Sequence, residues 1–149
     1  MVDLNLVRPY TQVDRAAAEA LLGDARPLDA PESHVHVADD GIALWLDPPV
    51  GGDEPYLGPV LCPAGPGRRF YELVLACAKD ALQRGYRRGY FKIKDPALLR
   101  VLQATFRIEP VPAGWLPESG RPAEWDVHVD LVDAIEQLRG VIQRLGGTA

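Results

Sequence analysis

A hairpin in the first third of the chain restricts the fold more than any other feature of the sequence. Val35 and Val37 alternate with histidines, Asp39-Asp40-Gly41 follows, and residues 42–46 alternate again. Alternation at every second residue is typical of a half-buried strand, and Asp-Gly is a strong signal for a hairpin turn. Two strands joined in this way are antiparallel, so a fully parallel sheet is excluded.

Strand and helix patterns alternate along the rest of the chain. Apolar residues at every second position predict strands, and apolar residues three and four apart predict helices. The predicted strands are residues 2–6, 35–37, 42–46, 56–61, 90–94, 107–111 and 125–129, and the predicted helices are residues 12–22, 68–84, 96–106 and 131–145. The segments between them, residues 23–32, 48–55 and 112–122, are predicted to be loops.

The composition indicates one folded domain in a reducing compartment. The 149 residues are 47% hydrophobic and 25% charged, which is ordinary for a globular domain. The formal net charge of −5 gives no reason to expect nucleic acid or an anionic membrane as a partner. No apolar run approaches the ~18 residues that span a bilayer. Only Cys62 and Cys77 are present, so a disulfide framework is excluded and a cytoplasmic location is expected.

A glycine loop joins the strand at residues 56–61 to the next helix. Gly65-Pro66-Gly67 is followed by Arg68-Arg69 at the start of that helix. The first N–H groups of a helix lack partners within the helix, and its dipole adds partial positive charge there. Glycine lets the backbone approach a phosphate closely, and arginine adds bidentate contacts. The segment is therefore a candidate anion site.

Three other interpretations of this loop follow from its sequence. Gly65 and Gly67 can simply form a turn and begin a helix, since glycine loops are common. A Rossmann fold is excluded, because there are too few strand-helix-strand units and the hairpin comes before the first glycine loop. A P-loop is excluded because no Gly-Lys-Ser/Thr follows the glycines.

The element order and this loop together resemble the GNAT superfamily of acyl-CoA-dependent N-acyltransferases. In that family a loop of the form Arg/Gln-x-x-Gly-x-Gly/Ala, between the fourth strand and the next long helix, holds the pyrophosphate of acyl-CoA. The corresponding segment here is Cys62-Pro63-Ala64-Gly65-Pro66-Gly67. Gly58-Pro59 is similar to the bulge that splays the fourth strand. The resemblance covers roughly residues 4–129.

The resemblance implies an α/β (α+β) fold, with a mixed, mostly antiparallel sheet flanked by helices and an extra C-terminal helix. It implies that acetyl-CoA or another acyl-CoA is the donor, and that a small-molecule or protein amine attacks the thioester directly. The residues it assigns to cofactor binding are Cys62, Ala64, Gly65, Gly67, Arg68, Arg69 and Asp95.

Four positions depart from the family pattern. Cys62 replaces Arg or Gln, and Pro66 removes an N–H from the loop. Leu102 falls near the tyrosine that many members use as general acid, and Asp95 replaces the usual asparagine. These departures favour an alternative hypothesis, a non-catalytic member of the same fold that serves as a binding or assembly module.

Other polar residues were considered for chemistry. His34 and His36 share one strand face and are interpreted as solvent-facing, with a metal or substrate role as alternatives. His128 is interpreted as structural, and the Cys62 thiol as a weaker candidate for a nucleophile. A basic run can meet a phosphate or water, and it consists of Arg84, Arg87, Arg88, Lys92 and Lys94. Acidic loop residues can attract an amine, and they are Asp47, Asp53 and Glu54. Glu72 and Glu109 are possible bases.

The C-terminal helix carries a heptad-like seam. Residues 1–129 are assigned to the GNAT-like domain and residues 130–149 to a helical extension that packs on the domain or on a partner. The apolar seam steps by four and three residues through Leu131, Ile135, Leu138, Ile142 and Leu145. Because its apolar arc is broad, we expect a homo-oligomer or a larger assembly formed through this helix.

Overall fold

A mixed sheet of seven strands forms the frame of residues 7–146, the part of the chain that the computed structural model describes. The strands are β1 (Arg8–Pro9), β2 (Ser33–Ala38), β3 (Gly41–Leu46), β4 (Tyr56–Leu61), β5 (Arg88–Ile93), β6 (Val111–Leu116) and β7 (Arg121–Asp130). Their order across the sheet is β1-β2-β3-β4-β5-β7-β6. The only parallel pair among these strands is β4–β5, on either side of the glycine-loop helix.

Five helices flank the sheet in the described residues. They are α1 (Arg15–Leu22), α2 (Arg26–Asp29), α3 (Arg68–Gln83), α4 (Pro96–Thr105) and α5 (Leu131–Arg144), and a 3-10 turn at Gln12–Asp14 precedes α1. The hairpin prediction is confirmed: Ala38 pairs with Gly41, so β2 and β3 are joined by the two residues between them. None of the described helices is long and apolar enough to cross a bilayer.

The sequence prediction was wrong at three places. The strand expected at residues 107–111 lies at Val111–Leu116, inside a predicted loop, and β7 begins at Arg121 rather than at residue 125. As the outermost strand, β6 tolerates Pro112 and exposes most of its residues, so it shows no apolar alternation. The predicted loop at residues 23–32 contains α2, in whose first turn Pro27 is favourable. The strand predicted at residues 2–6 lies outside the described residues.

Strand β3 is buried on both faces and divides the core in two. Ile42 and Leu44 pack with Ala18 of α1, while Ala43 and Trp45 pack on the α3 side. Successive side chains of a strand point to opposite faces, so one strand supports both layers. The larger core lies on the α3 side and includes α4 and α5.

Helix α5 packs on α3 and supplies part of this larger core. Arg68 at the start of α3 contacts the carbonyl of Gly146 just after α5, and the N–H of Leu131 donates to Arg87 just after α3. The two helices therefore run antiparallel. Leu145, which directly follows α5, is exposed. The residues of α5 that belong to the core are buried, and they are Leu131, Ile135, Leu138, Val141 and Ile142.

The expectation of a partner at this seam needs correction. The chain's own core covers the seam up to Ile142, so those side chains are not available to another molecule. Periodicity alone indicates an apolar stripe without saying what covers it. Self-association of the chain stays a prediction, but the buried seam no longer supports it.

Candidate active site

Strands β4 and β5 separate almost as soon as they meet. Their registered pair is Tyr56 with Tyr90, after which β4 continues through Gly58 and Pro59. Pro59 has no N–H to donate to a neighbouring strand, and the pairing of β3 with β4 shifts register in the same region. The carboxyl-end halves of the two central strands are therefore left apart, and a cleft opens between them.

A cavity of about 1160 Å³ fills this cleft and continues beneath it. All of β4, the second half of β5 and part of β7 line it, and α3, α4 and α5 each contribute one side. Clefts at the carboxyl ends of sheet strands are common ligand sites in proteins that combine sheets and helices. The cavity reaches Leu61 and Phe70, which lie on either side of the glycine loop, while the loop residues 62–69 themselves do not line it.

The glycine loop leaves the first turn of α3 open. Gly65 has a φ of 89°, which favours glycine, and its N–H donates to the carbonyl of Cys62 at 2.8 Å. Gly67 precedes α3 in extended conformation, and no side chain caps this helix. A Cβ added to Gly67 would meet no atom within 4 Å. The fold itself therefore does not require glycine at position 67.

The two arginines at the start of α3 have different environments. Arg69 is only 14% exposed, and its guanidinium contacts Asp40 of the hairpin at 2.9 Å and Glu72 at 3.3 Å. Arg68 is 48% exposed and contacts Glu72 more loosely, at 3.5 Å. Arg69 thus holds the hairpin to α3, and Arg68, whose contacts with Glu72 and with the carbonyl of Gly146 are long, is the more accessible of the two to an anion. Glu72, considered as a base, is engaged by both arginines.

The other predicted cofactor residues lie in or near the cleft. Asp95 lines the cavity and also caps α4, because its Oδ1 accepts a hydrogen bond from the N–H of Ala97 at 2.9 Å. Ala64 is exposed in the loop. Burial raises the pKa of the half-buried Cys62 thiol, and nearby Asp40 raises it further. A thiol with a raised pKa is a poor nucleophile, so the structure gives no support to a reactive Cys62.

Leu102 lies at the position where the family resemblance places a tyrosine. It is 7% exposed and lines the cavity, so an apolar wall stands where an acid would be needed. Burial raises the pKa of Tyr56, which also lines the cavity.

His128 was interpreted as structural, but it is exposed at the cleft. Its Nδ1 lies 3.2 Å from Oε2 of Glu54, and its ring stacks on Tyr90 with centroids 5.6 Å apart. Tyr90 in turn contacts Tyr56, where the two strands diverge. Strand alternation puts His128 on the face opposite buried Val127, a signal that the sequence already contained. Its partner Glu54 is 74 residues away, and no local pattern connects the two.

His34 and His36 lie elsewhere, in a polar cluster behind α3. Asp80 accepts a hydrogen bond from Nε1 of Trp45 at 2.9 Å and lies 3.2 Å from Nε2 of His36. His34 stacks on Trp45 and lies 3.1 Å from Asp47. Burial lowers the pKa of His36. These histidines are not solvent-facing, as had been expected, and they line no part of the described cavity.

No protein-family model and no curated protein sequence matches the chain. Solved structures do match it. The ribosomal-protein-S18-alanine N-acetyltransferase of Escherichia coli has a TM-score of 0.62 at 11% identity, over 85% of this chain and 94% of that one. A Bacillus subtilis acetyltransferase in complex with CoA has a TM-score of 0.57 at 12% identity, over 85% and 98%. A Vibrio cholerae spermidine N-acetyltransferase mutant has a TM-score of 0.63 at 10% identity, over 90% and 98%.

The sheet order, the splayed parallel pair and these matches define the class. The chain has the fold of the GNAT superfamily, as the sequence predicted. At identities of 10–12% the matches establish the fold alone.

Proposed function

We propose that the protein is an acyl-CoA-dependent N-acyltransferase whose acceptor is an amine. The observation that carries this proposal is the position of the β4–β5 cleft directly beside an uncapped, glycine-opened helix start. The cleft accommodates a long, narrow ligand, and the helix start accommodates an anion. A phosphate-bearing thioester such as acyl-CoA has both properties.

The donor's phosphates would be held by the first N–H groups of α3. The N–H of Gly65 is already used in its own turn, so the N–H groups that follow Pro66 are the available donors. Gly67 leaves open space for a phosphate to approach, and half-exposed Arg68 adds charge. The donor, when bound, supplies an acyl group activated as a thioester.

The acceptor side would use the pair of His128 and Glu54. Because Glu54 engages Nδ1, Nε2 of His128 is left to take the proton of an attacking ammonium group. Once the ammonium group has lost this proton, the neutral amine nitrogen bonds to the acyl carbon, the carbon–sulfur bond breaks, and the leaving thiolate takes up the second nitrogen proton as the amide forms. Positioning of the two reactants at the cleft supplies most of the acceleration in this scheme. It needs no tyrosine at the position of Leu102.

Calorimetry with acetyl-CoA tests the donor site. We expect the wild type to bind and Gly67→Thr to lose at least about 100-fold in affinity, because a branched side chain fills the space a phosphate needs. Threonine and glycine are similar at helix starts, so the melting temperature should hardly change. Ala17→Thr, on the exposed side of α1, should bind like the wild type.

Two results would contradict the proposal. A wild type that gives no heat and no thermal shift with millimolar acetyl-CoA or CoA would favour the binding or assembly module instead. Equal binding by Gly67→Thr would show that any CoA site lies away from the glycine loop.

A further inference from the structure

The cavity extends well beyond the cleft between the strands. On α3 its lining includes Phe70, Val74 and Ala78, which follow one face of the helix for about two turns. On α5 one face lines it, with the apolar Ala134 and Leu138 beside the polar Asp133 and Gln137. The space below the strands is therefore bounded by the flanks of helices and continues past the point where β4 and β5 part.

The cavity as a whole, including the cleft that would take part of the CoA moiety, is larger than a pocket for a drug-sized ligand. Ligand pockets for drug-sized molecules usually measure about 300–1,000 Å³, and this cavity measures about 1160 Å³. Its helical walls are mainly apolar, and several of these side chains are only partly buried although they pack on the core, as Phe70, Val74 and Leu98 do. Binding of an apolar ligand would remove the exposed part of these side chains from water, which is favourable.

Helix α5 borders this space beside α3. Helix α5 lies against α3. It also contacts the segment that follows α4, because Oε1 of Gln137 accepts a hydrogen bond from the N–H of Arg107 at 2.8 Å. Ala134, a small residue, faces the cavity from the N-terminal half of α5. Because α5 runs antiparallel to α3, this part of α5 lies toward the end of α3 that is remote from the glycine loop.

We propose that this helix-walled space holds the hydrocarbon chain of the donor, so that the preferred donor is an acyl-CoA with a chain much longer than acetyl. The inference rests on the proposed function, since it presumes a CoA thioester at the cleft. Continuity of the space with the cleft puts the chain's starting carbon at the splayed strands. The apolar walls then select for chain length, and the glycine loop for the CoA moiety.

Calorimetry with CoA and with acetyl-, butyryl-, hexanoyl- and octanoyl-CoA tests the inference. Affinity should rise about fourfold for each methylene buried, until the space is filled. Ala134→Phe should abolish this rise and still bind CoA and acetyl-CoA like the wild type. Ala17→Phe, at an exposed site on α1, should keep the full rise.

The outcomes separate this inference from the proposed function. Binding of CoA with no dependence on chain length would overturn the inference and leave the proposed function standing. Absence of binding by CoA and by every acyl-CoA would overturn both. If Ala134→Phe fails to fold, by circular dichroism, Val74→Phe fills the space from α3 instead; a full rise with chain length in that variant would also refute the inference.

Discussion

The starts of the helices differ in how they are closed. At α4 the carboxylate of Asp95 accepts a hydrogen bond from Ala97 N–H at 2.9 Å, and at α5 Asp130 accepts one from Asp133 N–H at 3.0 Å. The longest helix, α3, begins instead at Gly67 with no side-chain cap. Open N–H groups at a helix start are usually satisfied by a side chain, by water or by a ligand.

Helices α1 and α2 also begin without a side-chain cap, so what sets α3 apart is an uncapped start that follows a glycine loop and lies next to the cavity. A capped start carries a negative charge of its own and repels a second one, whereas the start of α3 presents N–H groups and a half-exposed arginine. The three predictions below change one helix start at a time. If the two kinds of start differ in purpose, changes at the capped starts should alter stability and changes at α3 should alter ligand binding.

The largest expected effect is at the 3-10 turn before α1. Asp14 accepts hydrogen bonds from Arg8 at 2.6 Å and from the N–H of Thr11 at 2.9 Å, and its carboxylate is nearly buried. We expect Asp14→Ala to lower the free energy of unfolding by about 2 kcal/mol at pH 7, because charged hydrogen bonds are lost. Urea unfolding measures this change.

Because the Asp14 carboxylate is ionised in the folded chain, the stability that it contributes should depend on pH. The hydrogen bonds from Arg8 lower the pKa of Asp14 from its usual 3.8 to about 2. The unfolded chain takes up the proton first as the pH falls, so the stabilisation is complete above pH 3.8 and is lost toward pH 2. The stability difference between wild type and Asp14→Ala should therefore shrink over this interval. A difference that stays constant from pH 5 to pH 2 would contradict the pKa shift.

The next effect is the loss of the cap at α5. Asp130→Ala should cost about 1 kcal/mol, which lowers the melting temperature by about 3 °C in a domain of this size. Asp130 also lines the cavity, but its carboxylate is engaged at the start of α5, so acetyl-CoA affinity should stay unchanged because the phosphate donors at the start of α3 are intact. Asp130→Asn, which keeps an accepting oxygen, should recover most of the stability. A large loss of CoA affinity in Asp130→Ala would show that the capped and open starts are not independent.

Much of the frame could be predicted from local patterns. The hairpin at Asp39-Asp40-Gly41, the parallel strands around the glycine loop and the cap at Asp95 all depend on residues close in sequence. Strand β6 could not be placed, because an exposed edge strand with Pro112 lacks apolar alternation. The apolar seam of α5 could be predicted from its periodicity, but the surface that covers it is set by tertiary packing on α3.

The candidate site was predictable only in part. The glycine loop was found because Gly65 and Gly67 precede a helix directly. The roles of its neighbours depend on residues that are distant in sequence, such as Asp40 for Arg69 and Glu54 for His128. A single sequence carries no signal for such pairs, so the engaged arginine and the exposed histidine needed coordinates to be recognised.

The smallest effect, and the sharpest test of the open start, concerns Pro66. Proline has no N–H, so the loop between the turn at Gly65 and the helix lacks one donor. Pro66→Ala adds that donor without adding bulk, and one further hydrogen bond to a phosphate contributes about 1 kcal/mol. Acetyl-CoA affinity should therefore rise about fivefold in calorimetry.

The matched variant Pro63→Ala, also in the loop but four residues before Gly67, should bind like the wild type. The melting temperature of Pro66→Ala should fall slightly, since the unfolded chain gains freedom. If both proline variants bind acetyl-CoA equally, or if Pro66→Ala binds more weakly, the N–H groups that follow Gly65 are not the phosphate donors.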